Sequence, residues 1–219
     1  MEISIKEKFL LLSLEDKKGK RERGSYFFNI GFSACILLEM VISDHLEIRK
    51  GLLYLKKTRN HADPVYNEVI RRMLKPTKNK SIKHWISNLN MASAKFKKQV
   101  IKALVYKGIL RKEKHRFLFF NYFLYPTLNS YPENEFRKEL VAGLNDPNSL
   151  EEGDVALLAI LDASKLLQVL FSSKEETKNA SNRIKEMATK NQFGEAVSLA
   201  MQEMQAAIVS TVVLSAAVS

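Results

Sequence analysis

A chain of 219 residues with 46% apolar and 27% charged side chains can bury a core and is too apolar for a disordered tail. Its 8 Gly and 5 Pro are few turn signals for that length, which favours helices. The net charge of +11 points to a polyanionic partner, nucleic acid or an anionic membrane, against the plainer reading of a basic surface kept for solubility.

The charge is unevenly spread. Residues 1–45 hold seven basic and seven acidic side chains, and residues 46–119 hold twenty basic against four acidic, a charge of +16. Residues 120–219 hold eight basic against thirteen acidic. The middle third therefore carries all of the excess.

In chain order, Ser4–Leu14 (SIKEKFLLLSL) predicts a first helix, ended by the polar run EDKKGKRERG. Its lysines, its glutamates and the lack of a small-residue cleavage site separate this N-terminus from a signal peptide. A long apolar helix follows from Ser25 to Ser43, holding the single cysteine, Cys35. In that run Cys35 reads as a small buried residue, as in a protein from a reducing compartment. HLEIRKGLLYLKK alternates on both sides of Arg49-Lys50-Gly51 and predicts a short hairpin. Asp63-Pro64 opens a helix reaching Leu74, with Pro64 at its first position, and KPTKNK reads as a basic loop. Ser81 is placed as the N-cap of a short helix through KHWISNL.

Residues 92–107 pattern as a helix with Phe96, Val100, Ala103 and Leu104 on one face and Gly108 as its C-cap. Next come a strand, a charged turn and a second, almost wholly apolar arm, FLFFNYFLY. The last third predicts helices at 133–144, 151–171, 174–190 and 193–217. The apolar segments 26–42 and 206–218 fall short of the roughly 20 residues that span a bilayer, and read as core helices. The chain is expected to be soluble and to form one domain over 1–219.

Catalytic and metal-binding patterns are absent from the sequence: no G-x-S-x-G, no phosphate loop, no H-E-x-x-H and no paired cysteines. His45, His61, His84 and His115 are scattered singly, so neither a metal nor a cofactor is expected. The informative stretch is KFKKQVIKALVYKGILRKEKHRFLFFNYF. Lys95, Lys98 and Lys102 fall in one helical stripe, Lys97 flanks the apolar face, and Arg111, Lys112, Lys114 and Arg116 cluster at the hairpin turn. A winged helix-turn-helix offers DNA a helix and a basic wing with buried aromatics. A membrane-docking edge instead exposes the aromatics beside the cations.

Several stretches, in order along nearly the whole chain, resemble the Golgi phosphoprotein 3 family. They are FLLLSLEDKKG, GFSACILLEMVISDHLEI, DPVYNEVIRRM, HWISNL and LVYKGILRKEKHRFLFFNYFLYP, followed by VALLAILDAS and the small-residue C-terminus. The resemblance implies a mainly helical, non-enzymatic, cytoplasmic protein that associates reversibly with membranes by binding phosphatidylinositol 4-phosphate or another anionic phospholipid. It implies a member without the family's N-terminal arm. It also implies that an apolar hairpin at about 109–124 projects for membrane insertion and homo-oligomer contacts through Phe117, Phe119 and Phe120. The family's headgroup-binding Trp and three Arg fall at Gly24, Ser33, Ala94 and Lys97, so Lys97 alone keeps a phosphate-capable side chain. Tyr26, Phe27 or Phe28 could supply the aromatic. Arg21, Arg23, Lys95 or Lys98 could supply the charge, which makes Lys97, Lys98, Lys95 and Arg23 the candidate headgroup residues. A nucleic-acid-binding winged-helix protein is the alternative.

Overall fold

The computed structural model of the chain describes residues 2–14, 25–59, 61–75, 78–189 and 195–216. It is mainly helical. Helices α1 (Ile5–Ser13) and α2 (Ser25–Ile42) lead to strands β1 (Leu46–Arg49) and β2 (Leu52–Leu55), then to α3 (Pro64–Met73). Strand β3 (Lys80–Ser81), α4 (Ile82–Met91) and α5 (Ser93–Tyr106) precede the hairpin of β4 (Glu113–Phe117) and β5 (Phe120–Leu124). The chain continues through α6 (Tyr131–Gly143), α7 (Glu152–Ala163), α8 (Lys174–Thr189) and α9 (Glu195–Ala216).

Helix α2 is the axis of the core, because its apolar residues run around the whole circumference. Phe28, Ile30, Phe32, Ala34, Cys35, Ile36, Leu37, Leu38 and Met40 are all fully buried. Phe9 of α1 packs against it, its ring 5.4 Å from Phe28, and Phe28 stacks on Phe32 at 5.6 Å. Gly31 leaves room for this contact: a methyl group there would stand 2.6 Å from Phe9 Cζ and 2.7 Å from Ser164 Oγ. Ion pairs hold α1 from three sides. Lys6 pairs with Glu39 and with Asp63 at 2.8 Å, Lys8 with Asp154 at 2.5 Å, and Glu7 with Lys107 at 2.6 Å. Lys6 is buried, so its two carboxylate partners are what make the charge tolerable.

The local signals are mostly used as expected. Asp63 caps α3 by accepting from the Val65 N–H, with Pro64 at the first position, and Ser81 caps α4 by accepting from His84. Lys50 (φ 50°) and Gly51 (φ 71°) form the two-residue turn between β1 and β2. Gly108 (φ 70°) closes α5, with Ile109 N–H donating back to the Leu104 carbonyl at 3.0 Å.

Four expectations are corrected. The charged segment expected as the turn of the second hairpin is itself strand β4, and the turn is Leu118-Phe119, inside the stretch expected as the second arm. The helix predicted over 151–171 stops at Ala163. Lys165 takes the left-handed conformation (φ 56°), and Leu166 N–H reaches the Leu161 carbonyl at 2.8 Å, an αL ending built without glycine. A 3-10 turn, Leu167–Leu170, follows. The basic loop KPTKNK gives its last residue, Lys80, to strand β3 with Ser81, which pairs antiparallel with β2. Helix α9 is not wholly interior: Met201, Met204, Ile208 and Val212 are buried, whereas Val209 and Val213 lie exposed.

Candidate functional site

Among the described residues, β4 and β5 pair only with each other, so this hairpin is separate from the three-stranded sheet. Its base is anchored by Arg111 N–H to the Pro126 carbonyl (3.0 Å) and by Leu128 N–H to the Ile109 carbonyl (2.8 Å). Its tip is the two-residue turn Leu118-Phe119 between the paired Phe117 and Phe120, with Leu118 at φ 52°. Bulky residues rarely adopt that conformation. Arg116 Nε helps to hold it by donating to the Leu118 carbonyl at 3.1 Å.

Exposure is concentrated at this tip. Leu118 is 70%, Phe119 88% and Phe120 74% exposed, and Tyr122 and Phe123 remain 39% and 44% exposed. Of the stretch expected to be exposed, 117–119, Leu118 and Phe119 are exposed and the exposure continues through Phe120 down β5, while the Phe117 side chain lies outside the described ones. Phe117 is within β4, paired with Phe120.

Alternation along the strands sorts the remaining side chains. His115, Tyr122 and Phe120 share one face, with the His115 and Tyr122 rings stacked at 5.5 Å. Lys112, Lys114, Arg116 and Phe123 share the other, with Lys112 Nζ 4.0 Å from the Phe123 ring centroid. A DNA-binding wing would bury these aromatics and expose only cations. Here both are exposed.

Helix α5 carries the predicted lysines but does not bring them to one point. Phe96, Val100 and Leu104 face the core. Lys95 and Lys98 are exposed, together with Lys102 one turn further on. Lys97 leaves the helix about 200° around from Lys95 at 100° per residue. Its ammonium lies 5.3 Å from the Phe28 ring, toward the first turns of α2. Lys95 instead pairs with Glu68 of α3 at 2.9 Å.

One proposed substitute, Phe28, and two of the unmatched family positions, Ser33 and Ala94, are accounted for. Phe28 is a core residue and offers no face to a ligand in water. Ser33 is buried and its hydroxyl donates to the Asn29 carbonyl at 2.7 Å, so that position points inward. Ala94 is exposed. Arg21, Arg23 and Gly24 lie outside the described residues, as does the side chain of Tyr26.

Sequence reading missed the cations on α3. Arg71 and Arg72 both bond Glu68, a pattern legible as i,i+3 and i,i+4 spacing. Its junction with Lys95 on α5 has no local signal.

The fold and surface define a mainly helical protein that presents an apolar hairpin and a cationic helix. Among the described residues, no helix is long and apolar enough to cross a membrane. Residues 5–204 match the Golgi phosphoprotein 3 (GPP34) family, and the chain belongs to that family. It is similar to vacuolar protein sorting-associated protein 74 of Schizosaccharomyces pombe (strain 972), with 23% identity over 163 residues. That match covers 65% of this chain and 48% of the relative, so the chain spans about half the length of this curated relative.

Proposed function

We propose that this chain is a non-enzymatic peripheral membrane protein that docks reversibly on anionic bilayers from the cytoplasmic side, with phosphatidylinositol 4-phosphate as the ligand its family suggests. The observation that carries the reading is the hairpin tip, where Leu118, Phe119 and Phe120 lie in water on a hairpin whose other face carries Lys112, Lys114 and Arg116 further toward its base. Burying such a tip at the acyl boundary removes apolar area from water while the cations meet phosphates. Lys97, with Lys98, Lys95 and Arg23 as the other candidates, supplies the headgroup contact. The exposed tip equally suits self-association, so a homo-oligomer through the hairpin belongs to the same proposal.

Liposome flotation tests it. The chain should float with vesicles carrying phosphatidylinositol 4-phosphate, less with phosphatidylserine vesicles, and hardly at all with phosphatidylcholine alone. Duplex DNA should compete only weakly at physiological salt. Binding to DNA without flotation on any vesicle would overturn the proposal in favour of the nucleic-acid reading.

A further inference from the structure

Glu68, only 7% exposed, is surrounded by three cations. Arg71 donates to both its oxygens, at 2.6 Å and 3.0 Å, Arg72 Nε donates at 2.9 Å, and Lys95 Nζ lies at 2.9 Å. These contacts nearly exhaust the lone-pair sites of a carboxylate. The Arg71 bond, ahead of those from Lys95 and Arg72, holds the Glu68 carboxyl down to about 2.

Three cations around one carboxylate leave a charge of +2 that Glu68 cannot neutralise. Arg72 is absorbed into the fold: its Nη1 donates to Asn88 Oδ1 at 3.0 Å and its guanidinium lies 5.6 Å from the Phe96 ring. Arg71 and Lys95 are not, since their side chains are 54% and 53% exposed. Each has N–H groups beyond those directed at Glu68. A buried carboxylate thus fixes two outward-facing cations in place before any ligand arrives, which lowers the ordering cost of binding an anion. Lys95 also stands in the first turn of α5, a turn without acidic residues, where the helix dipole adds to the positive potential.

We propose that Arg71 and Lys95, organised by Glu68, form a second phosphate-binding site on the α3 side of α5, apart from Lys97, that takes the phosphate monoester of a phosphoinositide headgroup, so that Lys95 belongs to this site and not to that of Lys97. This rests on the membrane-docking reading and adds a site to it. The neighbouring surface favours a lipid over a soluble phosphate. Leu74, two residues after Arg72, is 60% exposed, and Met91, one turn after Asn88, is 81% exposed. Apolar side chains beside a phosphate receptor suit a bilayer interface.

The test uses the full chain and three probes: phosphatidylinositol 4-phosphate vesicles, charge-matched phosphatidylserine vesicles, and soluble inositol 1,4-bisphosphate. Arg71→Gln with Lys95→Gln should weaken binding to the phosphoinositide vesicles about tenfold, the scale of losing charge-assisted hydrogen bonds. It should affect phosphatidylserine binding less, and Lys178→Gln with Lys185→Gln should have little effect on either. Glu68→Gln makes the protein more positive, so attraction by net charge alone would tighten binding, whereas loss of the organiser weakens it. Should Glu68→Gln fail to fold, the half-exposed Arg71 and Lys95 pair still decides the matter. Wild-type affinity in that double variant, or equal losses on both vesicles, overturns the site. Tight binding of soluble inositol phosphate with no preference for vesicles overturns the lipid assignment. A wild-type chain that floats with no vesicle refutes the membrane reading itself, an outcome separable from failure of the site alone.

Discussion

Lys97 has its ammonium over the Phe28 ring, and the headgroup contact proposed for it competes with that position. Lys97→Glu should therefore weaken phosphoinositide vesicle binding far more than Lys178→Glu, an equal charge change on the exposed face of α8. Equal losses would mean that only net charge is sensed near α5. Gly31 makes a different kind of residue-scale claim, one about stability. Its missing side chain is the space filled by Phe9 and Ser164, so Gly31→Ala should destabilise the fold by about 1–3 kcal/mol in urea unfolding through overpacking. An unchanged midpoint would show that α1 can slide away from α2 at no cost. Glu68 adds a pH dependence. Its carboxyl is held at about 2, below the ordinary range, so its contribution to stability is complete above about pH 5 and is lost as pH falls toward 2. The stability difference between wild type and Glu68→Gln should thus shrink between those limits. A difference constant with pH would mean that the ionised carboxylate is not what the three cations hold.

Elements were legible in the sequence where one residue type serves one backbone need. Asp63-Pro64, Ser81 and Gly108 mark helix ends by chemistry that few other residues share, and the structure uses each as a cap. The break after Ala163 was illegible because Lys165 takes a left-handed conformation that its side chain does not favour, and the 3-10 turn that follows buries Leu167, Val169 and Leu170 as a continued helix pattern would. Strand β3 escaped notice because two residues carry no periodicity. The hairpin's exposed apolar surface was legible through a violation, since FLFFNYFLY is too continuously apolar for a strand with one wet face, but its turn was not, because Leu118-Phe119 holds none of the usual turn residues. What the pattern left open was whether protein covers both faces, and the exposed Phe119 and Phe120 answer that for this chain. Because those rings contribute little to the core, Phe119→Ser with Phe120→Ser should leave the melting temperature nearly unchanged while reducing vesicle binding or oligomer content. A buried Phe behaves otherwise, its truncation costing about 3–5 kcal/mol. A large fall in melting temperature with vesicle binding intact would make the hairpin a structural element.

Over the whole molecule, the +16 of residues 46–119 spans α3, α4, α5 and strand β4, while the acidic excess falls to the C-terminal helices. If the protein docks on membranes as proposed, this charge imbalance should steer the cationic elements toward an anionic surface. The candidate site was less legible than the fold because it is assembled at this scale: Lys95 faces α3, Lys97 faces α2, and Phe119 stands on a hairpin of its own. Two forces of different range should then be separable by salt. Coulomb attraction supplies on the order of 1 kcal/mol per basic residue brought to the headgroups. It should collapse as the Debye length shrinks from roughly 10 Å at 0.1 M to about 3 Å at 1 M. Insertion of Leu118, Phe119 and Phe120 is apolar and insensitive to that screening, so a residual affinity should persist at high salt. Phe119→Ser with Phe120→Ser should abolish the residue while preserving the steep low-salt part of the curve. Arg71→Gln with Lys95→Gln should flatten the steep part and leave the residue. Equal binding of the wild type to neutral and anionic vesicles at every salt concentration would remove the electrostatic component, and with it the meaning assigned here to the basic third of the chain.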